Sequence, residues 1–504
     1  MSVPPHIMWA ACGKQLLCTR VTVPLDWSRP KARQISIAVI RHLASQPRRR
    51  IGAIFFNPGG PGVSGVDTLK AQGGYFDSLG MGRFDVVSWD PRGTGASTHV
   101  RCFANKASLA NFWDHLGFPA SAAASRAYVR KTVGFARRCG EVSGSLLRYI
   151  STAETARDLD DLRQLLGESQ LNYLGWSYGS FLGTTYANMF PRRVRAMVLD
   201  GIVDPIRYTV GRAASLANTE TDSDLVFKTF ELLCQQSGPS RCALAGEGSV
   251  APGIDRLFAR LRRGPISAPS APGSKLTYGD LLTALFLSVR DTAEWPQLAK
   301  DLQAAEAGNG SALEIVALKL RSPSGYGLLV PAVAIGCADS PAMQPPQASS
   351  EVIDRLTDIS FIYGPLLGWS LWAPCASWPA ASASRYIGPW NAATKNPVLI
   401  IGTRFDPNTP FVNARRLERL LGNAILLTHD GFGHVSISDP SACVERVQRR
   451  YFVSLTIPDR GTMCSSNHLP FDPDFGKRPK ALDGPRSAGL AHGVAEPLPM
   501  LRTI

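Results

Sequence analysis

The stretch Leu171–Ser180 reads Leu-Asn-Tyr-Leu-Gly-Trp-Ser-Tyr-Gly-Ser. Leu171–Leu174 is a short apolar run of strand type, and Phe181–Met189 beyond it is helix-like. Between them, Gly175-Trp176-Ser177-Tyr178-Gly179 is G-x-S-x-G in the strand–turn–helix setting that gives the motif meaning. A serine on so tight a turn takes a strained backbone, and the residues two before and two after it must be small for strand and helix to approach. The turn lifts Ser177 Oγ clear of the sheet and sets the Tyr178 N–H, at a helix N-terminus, beside the carbonyl to be attacked. An ordinary Gly/Ser turn has the same composition. The two readings separate on whether the chain also supplies a base, an acid and a second oxyanion donor.

The surrounding chain has a parallel-sheet pattern. Thr19–Leu25 and Gln34–His42 are strand-like runs joined by Asp26-Trp27-Ser28-Arg29-Pro30, an antiparallel start to a sheet. Gly52–Phe56 is a compact apolar strand ending in Asn57-Pro58-Gly59-Gly60-Pro61-Gly62. The prolines have no N–H, so only Gly59, Gly60 and Gly62 can donate from its glycine-proline turn. Its position matches the loop that carries the second oxyanion donor of an α/β-hydrolase. Phe84–Trp89 is the next strand and exits into Asp90-Pro91-Arg92-Gly93-Thr94-Gly95, where Arg92 is expected to brace loops. Thr152–Leu166 is an amphipathic helix with Leu159, Leu162, Leu165 and Leu166 on one stripe, opened by Ser151 or Thr152 and ended by Gly167. Val194–Leu199 is a further strand, closed by Asp200-Gly201. Alternating strands and helices imply parallel strands with right-handed crossovers.

After Pro205 the pattern changes. Residues 206–385 read as helical segments, among them Ala213–Cys234, Tyr278–Val289 and Trp295–Glu306, broken by stretches such as Gly264–Ser274. This predicts a mainly helical cap inserted into the core; its Trp-rich end, Tyr363–Trp378, suits core packing better than a pocket wall. The parallel pattern returns with Pro397–Gly402, which exits into Thr403-Arg404-Phe405-Asp406-Pro407. Phe411–Leu421 is then a helix, Ala424–Thr428 a strand, Asp430-Gly431-Phe432-Gly433-His434 a glycine-rich turn, and Ala442–Val453 the closing helix. The predicted organisation is core over 1–205, cap over 206–385, core again over 386–470, and an unpacked tail over 471–504. The fold class is α/β, with a mostly parallel central sheet flanked by helices.

A nucleophilic serine needs a base to take its proton and an acid to orient that base. Of eight histidines, His6 and His492 lie in the termini, His42, His99 and His115 precede the nucleophile strand, and His468 borders the tail. His434, on the glycine-rich loop after the last strand, is the better base than His429. Asp406 lies just past a strand's carboxyl end, where open α/β sheets build their sites. Asp200, past an earlier strand, is the alternative acid. The order Ser177, Asp406, His434 is that of the α/β-hydrolases.

Composition narrows the classes. With 504 residues, 44% hydrophobic and 19% charged, this is an enzyme-sized globular chain. No apolar stretch reaches the ~20 residues of a membrane span. The net charge of +14 is spread over scattered basic residues with one cluster, Arg48-Arg49-Arg50. That cluster reads as a solvated edge, and no nucleic-acid partner is expected. The ten cysteines fall as near neighbours: Cys12 and Cys18, Cys102 and Cys139, Cys234 and Cys242, Cys337 and Cys375, Cys443 and Cys464. No C-x-x-C occurs, which argues against zinc or thioredoxin-type chemistry. Five disulfides in an oxidising compartment are preferred over ten buried thiols. Met1–Lys14 shows no basic segment followed by an apolar one. A secreted or envelope placement is therefore expected from the cysteines, with a cytoplasmic enzyme as the alternative.

Taken together, Asn57–Gly62, Asp90–Gly95, Gly175–Gly179, Leu199-Asp200-Gly201, Gly402-Thr403-Arg404-Phe405-Asp406-Pro407-Asn408-Thr409-Pro410 and Gly433-His434 resemble the secreted tripeptidyl aminopeptidases of bacteria, within the proline iminopeptidase-like α/β-hydrolases. The resemblance spans about residues 9–470. It implies Ser177, Asp406 and His434 as catalytic triad, Gly60 and Tyr178 as oxyanion donors, disulfides, and no metal or organic cofactor. The implied activity is release of short peptides, tripeptides above all, from free N-termini through an acyl-enzyme; a monomer is expected. The rivals are a carboxylesterase or lipase with the same triad, and a catalytically inactive hydrolase fold serving as a binding protein. An exopeptidase must sense the substrate ammonium. Glu220, Asp222 and Asp224, near the start of the cap's first helical stretch, are the candidate groups, although a solvated helix face carries the same pattern.

Overall fold

Apolar residues alternate between the two faces of the central strands, as the two-residue period of a strand dictates. Phe55, Tyr173 and Leu199 face one side, and Ile54, Phe56, Leu174 and Val198 the other. A strand apolar on both faces needs cover on both. The computed structural model describes residues 7–113, 118–119, 121–246, 249–321 and 323–475. In it, the helices Gly65–Leu79 and Ala442–Ser454 cover the second face, and Thr152–Leu165 and Tyr178–Met189 the first. His6, His115, His492 and residues 476–504 of the expected tail lie outside the described residues.

The strands are β1 (Ala10–Gly13), β2 (Leu16–Pro24), β3 (Gln34–His42), β4 (Gly52–Asn57), β5 (Phe84–Trp89), β6 (Leu171–Trp176), β7 (Val194–Asp200), a small hairpin β8 (Ile266–Ala268) and β9 (Ser274–Leu276), then β10 (Val398–Phe405), β11 (Ala424–Phe432) and β12 (Met463–Ser465). The main sheet runs β1-β2-β3-β5-β4-β6-β7-β10-β11-β12. It is antiparallel from β1 to β5 and parallel from β5 onward. Register aligns the carboxyl ends at the centre, with Asn57 opposite Gly175 and Trp176 opposite Asp200. β7 and β10 are neighbours, yet the chain between them runs through helices from Pro205 to Cys375.

Several expected boundaries move. Ala213–Cys234 is two helices, Arg212–Glu220 and Ser223–Ser237, broken at Thr221-Asp222. β11 continues to Phe432, which takes His429 into the sheet and leaves only Gly433-His434 on the loop. Phe471, at the start of the expected tail, is buried, with its ring against Phe230 and Trp295. Arg92 is wholly buried and donates to both Asp158 oxygens and to the carbonyls of Pro24, Leu25 and Tyr149, a brace between loops. All five cysteine pairs are disulfides, and no cysteine is free.

Candidate active site

Ser177 follows β6 directly, with φ 56° and ψ −124°. A left-handed non-glycine backbone costs about 1–3 kcal/mol. It is held by the Ser177 N–H donating to Asp200 O at 2.9 Å and by Ser180 Oγ donating to Ser177 O at 2.6 Å. A Cβ on Gly179 would sit 2.5 Å from Asn57 O, so only glycine lets the helix start against the end of β4. Gly59, at φ 96°, presses its backbone onto the same turn, and a Cβ there would lie 2.5 Å from Trp176 O and 3.1 Å from Tyr178 N. The Gly59 N–H donates to Asn57 Oδ1 at 3.0 Å. Exposed Gly60 carries the next N–H along the loop, and the Tyr178 N–H, a first-turn amide, has no intrahelical acceptor.

The Tyr178 phenol points away into the protein. It donates to Thr152 Oγ1, which donates to Asp339 Oδ2 at 2.6 Å; the Thr152 N–H meets Asp339 Oδ1 at 2.8 Å. Burial pushes the Asp339 carboxyl up to about 7 against these bonds.

Asp406 sits in the turn after β10. Its Oδ1 accepts from the N–H groups of Asn408 and Thr409 at 2.8 and 2.9 Å, and its Oδ2 from Thr409 Oγ1 at 2.6 Å and Val435 N–H at 3.1 Å. His434 Nδ1 lies 2.9 Å from Oδ1 and 3.1 Å from Oδ2. Burial opposes ionisation of Asp406, but the His434 ring and the Thr409 bonds outweigh it and hold the carboxyl below its ordinary range. With Nδ1 donating to the carboxylate, Nε2 is left as the acceptor. The His434 N–H donates to Arg290 O at 2.7 Å, so the helical insertion helps set the base loop.

Asp200 does not meet His434. It accepts from Ser436 N–H at 3.2 Å and Ser436 Oγ at 2.5 Å, and burial pushes it up to about 7. His429 is buried in β11 with Nδ1 3.1 Å from Thr403 Oγ1, and burial pulls its pKa down to about 4. The three cap carboxylates part company. Glu220 is fully buried with both oxygens unpartnered among the described residues, so the reading as a solvated helix face is corrected there by docking of this helix end into the insertion. Asp224 accepts from Ser360 Oγ at 2.7 Å and Phe361 N–H at 3.0 Å. Asp222 is half-buried in the break between the two helices, and burial and the Asp406 charge raise its pKa.

Sequence reasoning missed Thr409, Ser436, Arg290 and the Thr152–Asp339 pair. Thr409 carried a signal, since Asp-Pro-Asn-Thr is a turn in which the aspartate bonds its own following backbone. Thr152 and Asp339 are 187 residues apart and carried none.

Residues 52–223 match the family model of the alpha/beta hydrolase fold, and residues 360–464 that of TAP-like proteins. The chain is 30% identical to serine protease Hip1 of Mycobacterium tuberculosis, over 89% of this chain and 87% of that protein. It is 29% identical to a tripeptidyl aminopeptidase of Streptomyces coelicolor, over 92% and 87%. It is 32% identical to carboxylesterase B of Mycobacterium tuberculosis, over 92% and 91%.

Proposed function

The chain belongs to the tripeptidyl aminopeptidase-like family of α/β-hydrolases, and we propose that this serine peptidase is an exopeptidase releasing short peptides, tripeptides above all, from free N-termini. The observation that carries the reading is the Asp406–His434 pair at the same sheet edge as the strained Ser177 turn and its glycine loop. His434 Nε2 takes the Ser177 Oγ proton as Oγ attacks the scissile carbonyl. The Gly60 and Tyr178 N–H groups receive the oxyanion, each such donor contributing about 3–4 kcal/mol. His434 then returns the proton to the leaving amine, and water, deprotonated by the same nitrogen, releases the peptide. Asp406 stays ionised and fixes the tautomer throughout.

An N-terminal substrate brings a positive charge that needs a carboxylate. Of the three cap candidates, Asp222 suits best. Its side chain has no hydrogen bond or ion pair among the described residues, whereas Asp224 is engaged and Glu220 is sealed. The identity to carboxylesterase B favours the second reading, an esterase with the same triad. Acetylating the N-terminus of a good tripeptide substrate separates the two. It should lower kcat/KM at least about a hundredfold, as expected for loss of a buried charge pair. Equal cleavage of free and acetylated peptides, or ester hydrolysis far above any peptide cleavage, assigns an esterase.

A further inference from the structure

A cavity of about 270 Å³ lies between the glycine loop and the helical insertion. Gly60 and Pro61 of the glycine loop line it, together with Trp113, Phe118, Phe286, Leu367 and Leu371. Neither Ser177 nor His434 lines it, so it meets the catalytic apparatus through the loop of the expected oxyanion donor. Its position is built into the packing. A Cβ on Gly62 would lie 2.9 Å from Pro331 Cγ, which seats the helix Pro323–Asp339 directly on the loop. A Cβ on Gly279 would overlap the Phe118 ring. Among the described residues, Asp280 is the charged group of the lining, and its Oδ2 accepts from the Thr277 N–H and hydroxyl as a helix cap.

Resting on the peptidase reading above, we propose that this cavity binds a large apolar side chain, Leu, Phe or Trp, on the substrate residue whose carbonyl is attacked. The argument is one of reach, size and polarity. When that carbonyl oxygen sits on the Gly60 N–H, its own residue's side chain branches one bond from the carbonyl carbon, which brings a hollow lined by Gly60 within its reach. The volume is nearly twice the ~150 Å³ of an apolar cavity that admits benzene. The described walls are mostly apolar, which suits a hydrocarbon side chain.

The test is a set of chromogenic tripeptide amides on the intact, oxidised protein: Ala-Ala-Ala, Ala-Ala-Phe, Ala-Ala-Leu and Phe-Ala-Ala, with p-nitrophenyl acetate alongside. Phe or Leu in the third position should raise kcat/KM over the all-alanine amide by about 30-fold or more, the scale of several apolar carbons in a fitted pocket. Phe in the first position should give no such gain. Ser370 lines the cavity, and Ser370→Phe takes up part of its volume. It should bring the third-position preference to within about threefold of the all-alanine amide. Amide cleavage without a third-position preference, or a Ser370→Phe loss equal on all amides, overturns the assignment while the peptidase reading stands. Ester cleavage with no cleavage of any free-amine amide overturns the peptidase reading, and this proposal falls with it.

Discussion

At the scale of single residues, Asp200 and Asp406 pose the sharpest choice. Asp200 is the last residue of β7 and Asp406 the first after β10, and both are buried, but Asp406 contacts the imidazole while Asp200 is occupied by Ser436. The residues of a triad act as a unit, so Ser177→Ala and His434→Ala should each lower kcat by on the order of 10⁶. Asp406→Asn should lower it by about 10⁴, through loss of the tautomer that presents Nε2. Asp200→Asn should leave kcat nearly intact while altering thermal stability. Steady-state kinetics on a tripeptide amide, with thermal melts to verify folding, decides between them; a collapse of turnover in Asp200→Asn alone would exchange the two roles. The tight turn at Ser177 was legible because its motif is a local property of the chain, and the place of His434 because it follows the last long strand on a glycine-rich loop. Chain order favours Asp406, with Asp200 as the alternative; what holds Asp200 away, a bond to a loop 236 residues on, leaves no mark in the sequence.

At the scale of elements, the helix Pro323–Asp339 ends on a buried carboxyl that ties it to the start of Thr152–Leu165 and, through Thr152, to Tyr178. Burial raises the Asp339 pKa from 3.8 to about 7. The unfolded chain therefore gives up this proton near pH 4 while the folded chain keeps it to about pH 7. Over that window the folded state binds more protons, so stability falls as pH rises and then levels off. The melting temperature of Asp339→Asn should be flatter than that of the wild type between pH 4 and pH 7, as followed by circular dichroism; equal slopes would show that Asp339 is not the group responsible. The central strands were legible as compact apolar runs, because a strand covered on both faces is apolar throughout, whereas the short β1, β8, β9 and β12 carry no such run. The break at Thr221-Asp222 was not readable, since no Gly or Pro marks it. It is set by docking, with Asp224 and Ser223 bonded to Ser360 and Phe361 from a distant helix end.

At the scale of the whole molecule, the sheet and the helical insertion are one chain folded back on itself, and cross-links hold the parts where the candidate site needs them. Cys337–Cys375 joins the helix resting on the glycine loop to the segment that carries Leu367 and Leu371. Cys102–Cys139 ties down the region of Trp113 and Tyr128. These close spans of 38 and 37 residues, and a bridge of that kind contributes about 2–4 kcal/mol by restricting the unfolded chain. Pairing was legible from neighbour spacing in the sequence; which surfaces the bridges brace was not, because that follows from the packing of the insertion. The disulfides suggest an extracellular or envelope location, and no helix among the described residues is long and apolar enough to cross a membrane. Protein recovered from its native compartment and unfolded without reductant should therefore show no titratable thiol, and ten after reduction. The Cys337→Ser, Cys375→Ser double variant should melt several degrees lower, and it should lose activity on large apolar tripeptides before it loses the fold. Ten thiols in the unreduced protein would remove both the bridges and the placement outside the cytoplasm.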